Sequence, residues 1–265
     1  MDLHQFYDKE QRMNYSNGFF RVDNSSTVLL PFADDAVGLA GRLAELVQSD
    51  ESIFNYESNL VPQNGFRILC DGIEYVISVV VPPDNILEYR RIFCDAVLKN
   101  AGSALAISLG ENVAGGQRIA PIALGLMTFS GRLAGALDAL AVAWTPSRLL
   151  SGKEYFIDTV GTYASGGAFP VLPTIDLLFS DVGVETSGLD WFSGQELCLT
   201  GEVVPRSDLT RRAVRIIHDI ATNGALLSSQ HVPDIDDDKH IYLNLSPDGQ
   251  RVLAKITSNM EQLSA

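Results

Sequence analysis

The stretch GFRILC-DG-IEYVISVVV, Gly65 to Val81, holds two β-rich runs joined by Asp71-Gly72 and closed by Pro82-Pro83. Both turn positions tolerate positive φ, which makes Asp-Gly a strong signal for a tight hairpin. Upstream, Thr27-Val28-Leu29-Leu30-Pro31 is a short apolar run that suits a buried strand. Asp34 or Asp35 then caps a helix on which Val37, Leu39, Ala40, Leu43, Leu46 and Val47 recur at helical spacing. Residues 49–63 read as a polar loop. Downstream, Asp84 caps a helix expected from Asn85 to Asn100, and Ala104 to Leu109 is again a strand. Strand, helix, strand, strand, helix, strand is the order of a ferredoxin-like unit, or split βαβ.

The same order then repeats. An apolar helix over 117–140 leads to a strand at Ala141 to Trp144 and a helix near Ser151 to Tyr163. Two long β runs follow, Thr174 to Val184 and Gln195 to Val204. Asp208 opens the clearest amphipathic helix, with Val214, Ile216, Ile217 and Ile220 apolar and Asn223-Gly224 at its end. His240 to Leu245 closes the set as a strand. The expected fold class is therefore α+β: two tandem ferredoxin-like (βαββαβ) halves, residues 26–110 and 141–265, joined by a long buried helix at 117–140 and preceded by a polar tail, 1–25. The alternative is one α+β domain whose elements happen to alternate this way.

The 265 residues carry 33 acids against 19 Lys and Arg, a net charge of -14. That balance argues against coating nucleic acid, which requires neutralising phosphates, and against docking on an anionic membrane. With 46% apolar residues the chain has the material for a packed core. Ile119 to Trp144 is the one stretch resembling a membrane span, but Arg132 and Asp138 interrupt it, so it reads as a buried helix and a strand. The first 25 residues lack the apolar run of a signal peptide. Three cysteines, Cys70, Cys94 and Cys198, are an odd number at wide spacing among apolar neighbours, and each reads as a buried small hydrophobe. A reduced cytoplasmic location is expected.

From Thr27 to Gly224 the chain resembles a bacterial family known as domain of unknown function forty-two sixty-one. The resemblance rests on Val28-Leu29-Leu30, on the strand from Gly72-Ile73-Glu74-Tyr75 to Pro82, and on the apolar helix running into Ala141-Val142-Ala143-Trp144. It rests most on Ser187-Gly188-Leu189-Asp190-Trp191-Phe192-Ser193-Gly194-Gln195-Glu196-Leu197, which is similar to the family's Gly-Leu, aromatic, Glu-Leu signature. Asn223-Gly224-Ala225-Leu226 departs from the Asp-Gly pair of other members. The resemblance implies a bacterial, soluble α+β protein and brings no activity, catalytic residue or cofactor.

The most ligand-rich stretch runs from His231 to His240 and includes Asp234, Asp236, Asp237 and Asp238. An EF-hand counted from Asp234 needs Gly and Glu where Lys239 and Leu245 stand, so the stretch reads as a solvated loop. Glu196 and Glu202 share strand parity about 20 Å apart, too far for a glycosidase pair, and read as exposed strand carboxylates. His218-Asp219 point about 100° apart on a helix and make no dyad. Gly110 to Gly116 is glycine-rich but lacks the Lys of a phosphate loop, and reads as a linker. No residue is assigned a catalytic or metal-binding role, and no cofactor is expected.

The strongest pattern is charge segregation. From Glu154 to Val204 there are eight acids, Glu154, Asp158, Asp176, Asp181, Glu185, Asp190, Glu196 and Glu202, and no Lys or Arg. Arg206, Arg211, Arg212 and Arg215 follow at once, three of them in the first turns of a helix, where the dipole disfavours cations. Packing of this helix on the sheet that carries the acids would neutralise them internally. The functional alternative is an arginine-lined anion site. Two function classes follow. The first is a non-catalytic protein that binds a basic protein partner, as an immunity factor neutralises a toxin, through Asp176, Asp181, Glu185, Asp190, Trp191, Glu196 and Glu202. The second is an enzyme or anionic-ligand sensor with a site between the halves near Arg206, Arg211, Arg212 and Arg215. Self-association through strand edges is a third reading.

Overall fold

Asp71 and Gly72 take φ of 52° and 80°, the left-handed pair of a type I′ turn. They join β3 (Gly65–Cys70) to β4 (Ile73–Val80) as an antiparallel hairpin, as the sequence predicts. The computed structural model describes residues 26–49, 58–61, 65–201, 205–236 and 239–257, so the expected 1–25 tail and Glu202 lie outside the described residues.

Around this hairpin grows an eight-stranded sheet. Its other strands are β1 (Val28–Phe32), β2 (Ser58–Val61), β5 (Arg90–Ile92), β6 (Ser103–Leu109), β7 (Val142–Trp144) and β8 (Leu149–Ser151). The order is β2-β3-β4-β6-β1-β7-β8-β5, antiparallel except for the β5–β8 pair. All five residues of β1 are buried, because both faces of the sheet are covered. On one face lie α1 (Ala36–Ser49), capped by the Asp35 carboxylate accepting the Gly38 N–H at 2.8 Å, and α2 (Ala120–Ala136). Tyr75 stacks flat on Phe129 of α2 at 4.1 Å.

Three departures from the expected order have local causes. The helix expected over 85–100 is replaced by 3-10 turns at Asp84–Glu88 and Leu98–Asn100 with β5 between them. Phe93 sits there in the left-handed region, φ 45°, which a helix cannot include. Ile86, Tyr89, Cys94 and Leu98 of this segment instead fill a small core on the second face of the sheet. The Ala141–Trp144 strand, expected to open the second half, pairs with β1 of the first sheet. Its residues are buried on both faces, Ala141 and Ala143 in the small core and Val142 and Trp144 in the large one, which demands an interior strand. The polar loop expected over 49–63 contains β2.

The second sheet comprises β9 (Asp176–Phe179), β10 (Gly183–Ser187), β11 (Glu196–Thr200), β12 (Gln230–Pro233), β13 (His240–Leu245) and β14 (Arg251–Thr257). Its order is β12-β13-β14-β11-β10-β9, with β11 and β14 parallel. The 174–184 run is thus broken by a turn at Ser180–Val182, and β14 is a strand that the sequence reading stopped short of. The pairing in neither sheet bears out a ferredoxin-like unit: α1 leads from β1 to β2 across three intervening strands instead of one. What stands is the coarser reading, an α+β chain with two mixed sheets.

Helices α3 (Lys153–Ala164), α4 (Val171–Thr174), α5 (Leu189–Ser193) and α6 (Arg206–Asn223) complete the chain. Helix α6 presents Ala213, Ile216, Ile217 and Ile220 to the second sheet and ends at Gly224, φ 93°. α2 contacts the first sheet on one side and α3 on the other, where Gly131 and Gly135 admit Ile157. One apolar core runs unbroken from β1 through α2 to β11 and β14. Among the described residues no helix is long and apolar enough to cross a membrane.

Candidate functional site

The arginine cluster comes first because its charges must be balanced. On α6, spacing puts Arg212 on the same side as Leu209, Ala213 and Ile216, and its side chain is only 1% exposed. Its Nε donates to both carboxylate oxygens of Asp234 at 2.7 and 2.9 Å, and Nη2 donates to Asp236 at 2.5 Å. The hydrogen bond to Asp234 holds the guanidinium pKa above its ordinary value. Asp234 is itself buried and accepts the Ile235 N–H at 2.7 Å. Arg215 reaches the Asp234 carbonyl at 3.4 Å, Arg211 pairs with Asp208 at 2.6 Å, and the Arg206 guanidinium lies 3.9 Å from the Phe179 ring centroid.

Arg211 and Arg212 are therefore neutralised internally, but the main source differs from the expectation. The β12–β13 loop, read from sequence as solvated, supplies Asp234 and Asp236, and the sheet carboxylates do not. The missed signal was the pairing of an arginine on the apolar face of an amphipathic helix with an Asp-x-Asp after a strand.

The seven residues expected on the acidic surface separate into distinct roles. Asp176 forms an ion pair with Arg90 of β5 and is 13% exposed; burial pushes its pKa up, and Arg90 opposes this. Glu196 corrects its reading as an exposed strand carboxylate. It accepts N–H groups of Gly188 and Leu189 at 2.7 and 3.3 Å and the Thr186 hydroxyl at 2.5 Å, tying the turn before α5 to β11. Gly188 and Gly194 bracket α5 with φ of 97° and 81°, so the two glycines in the Ser187–Leu197 motif serve its backbone. Trp191 is half-buried with its ring edge toward Trp144 at 5.1 Å. Asp181, Glu185 and Asp190 remain exposed, the first two on the β9–β10 hairpin and the third on α5. Glu185 lies 3.9 Å from Arg251, and Glu202 is outside the described residues.

The remaining candidates are structural. His218 accepts the Phe169 N–H on Nδ1 at 3.1 Å. Cys70 and Cys94 are buried as expected, but Cys198 is half-exposed beside Glu185, and burial and that carboxylate push its thiol pKa up. Among the described residues no three His, Cys, Asp or Glu side chains gather to hold a metal ion. A cleft of about 220 Å³ opens between Ser108, the glycine-rich turn at Ala114–Gly115 and Trp191. It is below the roughly 300–1,000 Å³ of usual small-molecule sites.

Glu196 yields a pH prediction. Burial, with the neighbouring Asp190, raises its pKa in the folded state. A carboxylate raised on folding favours the native state while protonated and loses that contribution as pH rises through the folded value. Asp176 acts in the same direction. Glu196→Gln should therefore flatten the fall in melting temperature as pH rises from the ordinary carboxylate range toward neutrality. Melts across that range check it; a profile parallel to that of the parent protein would show that burial of this carboxyl does not govern it. No family model matches the chain, and no curated protein or solved structure matches it significantly.

Proposed function

We propose that the chain is a non-catalytic bacterial cytoplasmic protein that acts by binding another protein of basic character, in the manner of an immunity or antitoxin factor, and that the β9–β10 hairpin makes the contact. One observation carries this reading. On the hairpin, Leu178 and Val182 are 50% and 69% exposed beside the exposed carboxylates of Asp181 and Glu185. Apolar side chains beside exposed carboxylates are what a basic partner recognises, the apolar part giving affinity and the carboxylates giving steering, with Arg206 on Phe179 and Arg251 beside Glu185 at the margin of the same hairpin. Among the described residues β9 is also an edge strand, with one side not paired to another strand of the sheet. The net charge of -14 adds long-range attraction for a basic partner. The alternative, an anionic-ligand site at the arginines, has less support, because Arg206, Arg211 and Arg212 already have internal partners.

The test compares wild type with the double variant Asp181→Lys/Glu185→Lys as bait in lysate of the source organism, at low and high salt. The expected result is one stoichiometric basic protein, lost at high salt and bound about tenfold more weakly by the variant, about 1.4 kcal/mol. Retention of no basic partner at low salt would sink the proposal, and equal retention by the variant would remove the hairpin from it.

A further inference from the structure

Three uncharged polar side chains surround one indole in the cleft of about 220 Å³. They are Thr27 just before β1, Ser108 of β6 and Gln117 in the 3-10 turn Gly116–Arg118, and the indole is Trp191 of α5. Among the described residues the two hydroxyls and the carboxamide make no hydrogen bond. The other polar groups described above are spent on the protein itself, Arg212 on Asp234 and Glu196 on the turn before α5. The glycine-rich turn, which lacks the lysine of a phosphate loop, supplies Ala114 and Gly115, the latter at φ 81°, so the wall there is mostly main chain.

The indole is held firmly. Trp144 and Phe192 lie parallel to each other, and both meet Trp191 near a right angle, at 80° and 77°. Neither stacks on it, so its plane is fixed without a parallel ring lying on its face. A rigid aromatic loses little freedom when a ligand covers it.

The walls define the ligand by what they offer and what they lack. No ionisable side chain lines the cleft, in a chain of which 20% of residues are charged. Neither an anion nor a cation would find a counter-charge there. Hydroxyls and carboxamides both donate and accept, as do the hydroxyls of a sugar. These groups come from three separate segments around the indole, which suits a ring whose polar groups radiate in several directions. A nucleobase also stacks on indole, but its polar groups lie only along its edge, in the plane of the stack. The volume equals that of about seven water molecules, the space of one six-membered ring with its substituents. We propose that this cleft binds a single neutral pyranose ring, with its C–H face on Trp191 and its hydroxyls on Thr27, Ser108 and Gln117. The ring is a free sugar or the end of a glycan, since both present the same chemistry.

The inference is independent of the hairpin. Methyl pyranosides of glucose, galactose, mannose and N-acetylglucosamine, titrated to about 50 mM against the full chain, should include one that saturably changes tryptophan emission. Its Kd should be on the order of 1 mM, from about a dozen non-hydrogen atoms at ordinary ligand efficiency, and should not change with salt. By ligand-observed NMR, Gln117→Leu and separately Trp191→Ala should each weaken binding at least tenfold while melting stays cooperative. Asp181→Lys/Glu185→Lys should bind the sugar as wild type does. The corresponding disaccharide distinguishes the sources: a site for a glycan end binds it equally, and a site for a free sugar binds it at least tenfold more weakly. No saturation by any pyranoside, undiminished binding in Gln117→Leu, or tighter binding of adenosine than of every sugar would overturn the proposal.

Discussion

Asp234→Ala should lower the unfolding free energy by about 3–5 kcal/mol, the cost of leaving a buried charge without its partner. The magnitude follows from the partner it abandons. Arg212 is 1% exposed, and its Nη1 has no hydrogen-bond partner among the described residues. Without Asp234 the buried guanidinium retains, among the described residues, Asp236 alone as a carboxylate partner. In thermal melts the loss should appear as a fall on the order of 10 °C. The informative control is the double variant Arg212→Met/Asp234→Ala, which removes both charges. Because desolvating an ion pair cancels much of its attraction, the double variant should recover most of the stability lost in the single one. If Asp234→Ala costs under about 1 kcal/mol, the pair is wetter than its burial implies.

Trp144→Ala is the second large effect, also about 3–5 kcal/mol. Trp144 is fully buried at the end of β7, beside β1 of the first sheet, and its ring lies nearly parallel to Phe192 of α5 at 5.7 Å with Trp191 edge-on. It is thus a bolt between the first sheet and the helix that leads into β11. Deleting it leaves a cavity at a junction where neither side can collapse without moving a strand. Urea unfolding should then lose its single transition, the α5 region opening before the first sheet. The chain has two tryptophans, so in this variant the emission of Trp191 alone reports that opening. Trp144→Phe should cost much less, because stacking is kept and the buried indole N–H, which has no partner among the described residues, disappears. A coincident transition by fluorescence and circular dichroism in Trp144→Ala would show that the sheets are coupled elsewhere.

What the sequence disclosed and what it hid have a common physical explanation. The Asp71-Gly72 hairpin, the Asp35 cap of α1 and the apolar stripe of α6 are local: turn chemistry and periodicity decide them within a few residues. Over 85–100 the apolar residues also fit a helical spacing, whereas the burial of Ile86, Tyr89, Cys94 and Leu98 against the first sheet is a tertiary matter. The placement of β7 beside β1 is likewise invisible in Ala141–Trp144 alone. At the candidate site, counting charges located the arginines and their need for balance. It did not find Asp234, because a carboxylate in an acidic run looks solvated until the fold shows which one is buried. The role of Glu196 is hidden for the same reason: nothing in its spacing announces that its oxygens hold Gly188 and Leu189.

The strand order of the second sheet has a consequence for how the chain is made. β11 lies between β10 and β14, so Glu196 finds its parallel partner in Arg251 only after α6, β12 and β13 have been synthesised. On the ribosome, one edge of β11 therefore stays open while that whole stretch emerges. Long-range parallel pairing of this kind is slow and leaves an adhesive edge meanwhile. The Leu197 and Leu199 side chains, buried once the sheet closes, should make this nascent edge the point where chaperones engage the chain.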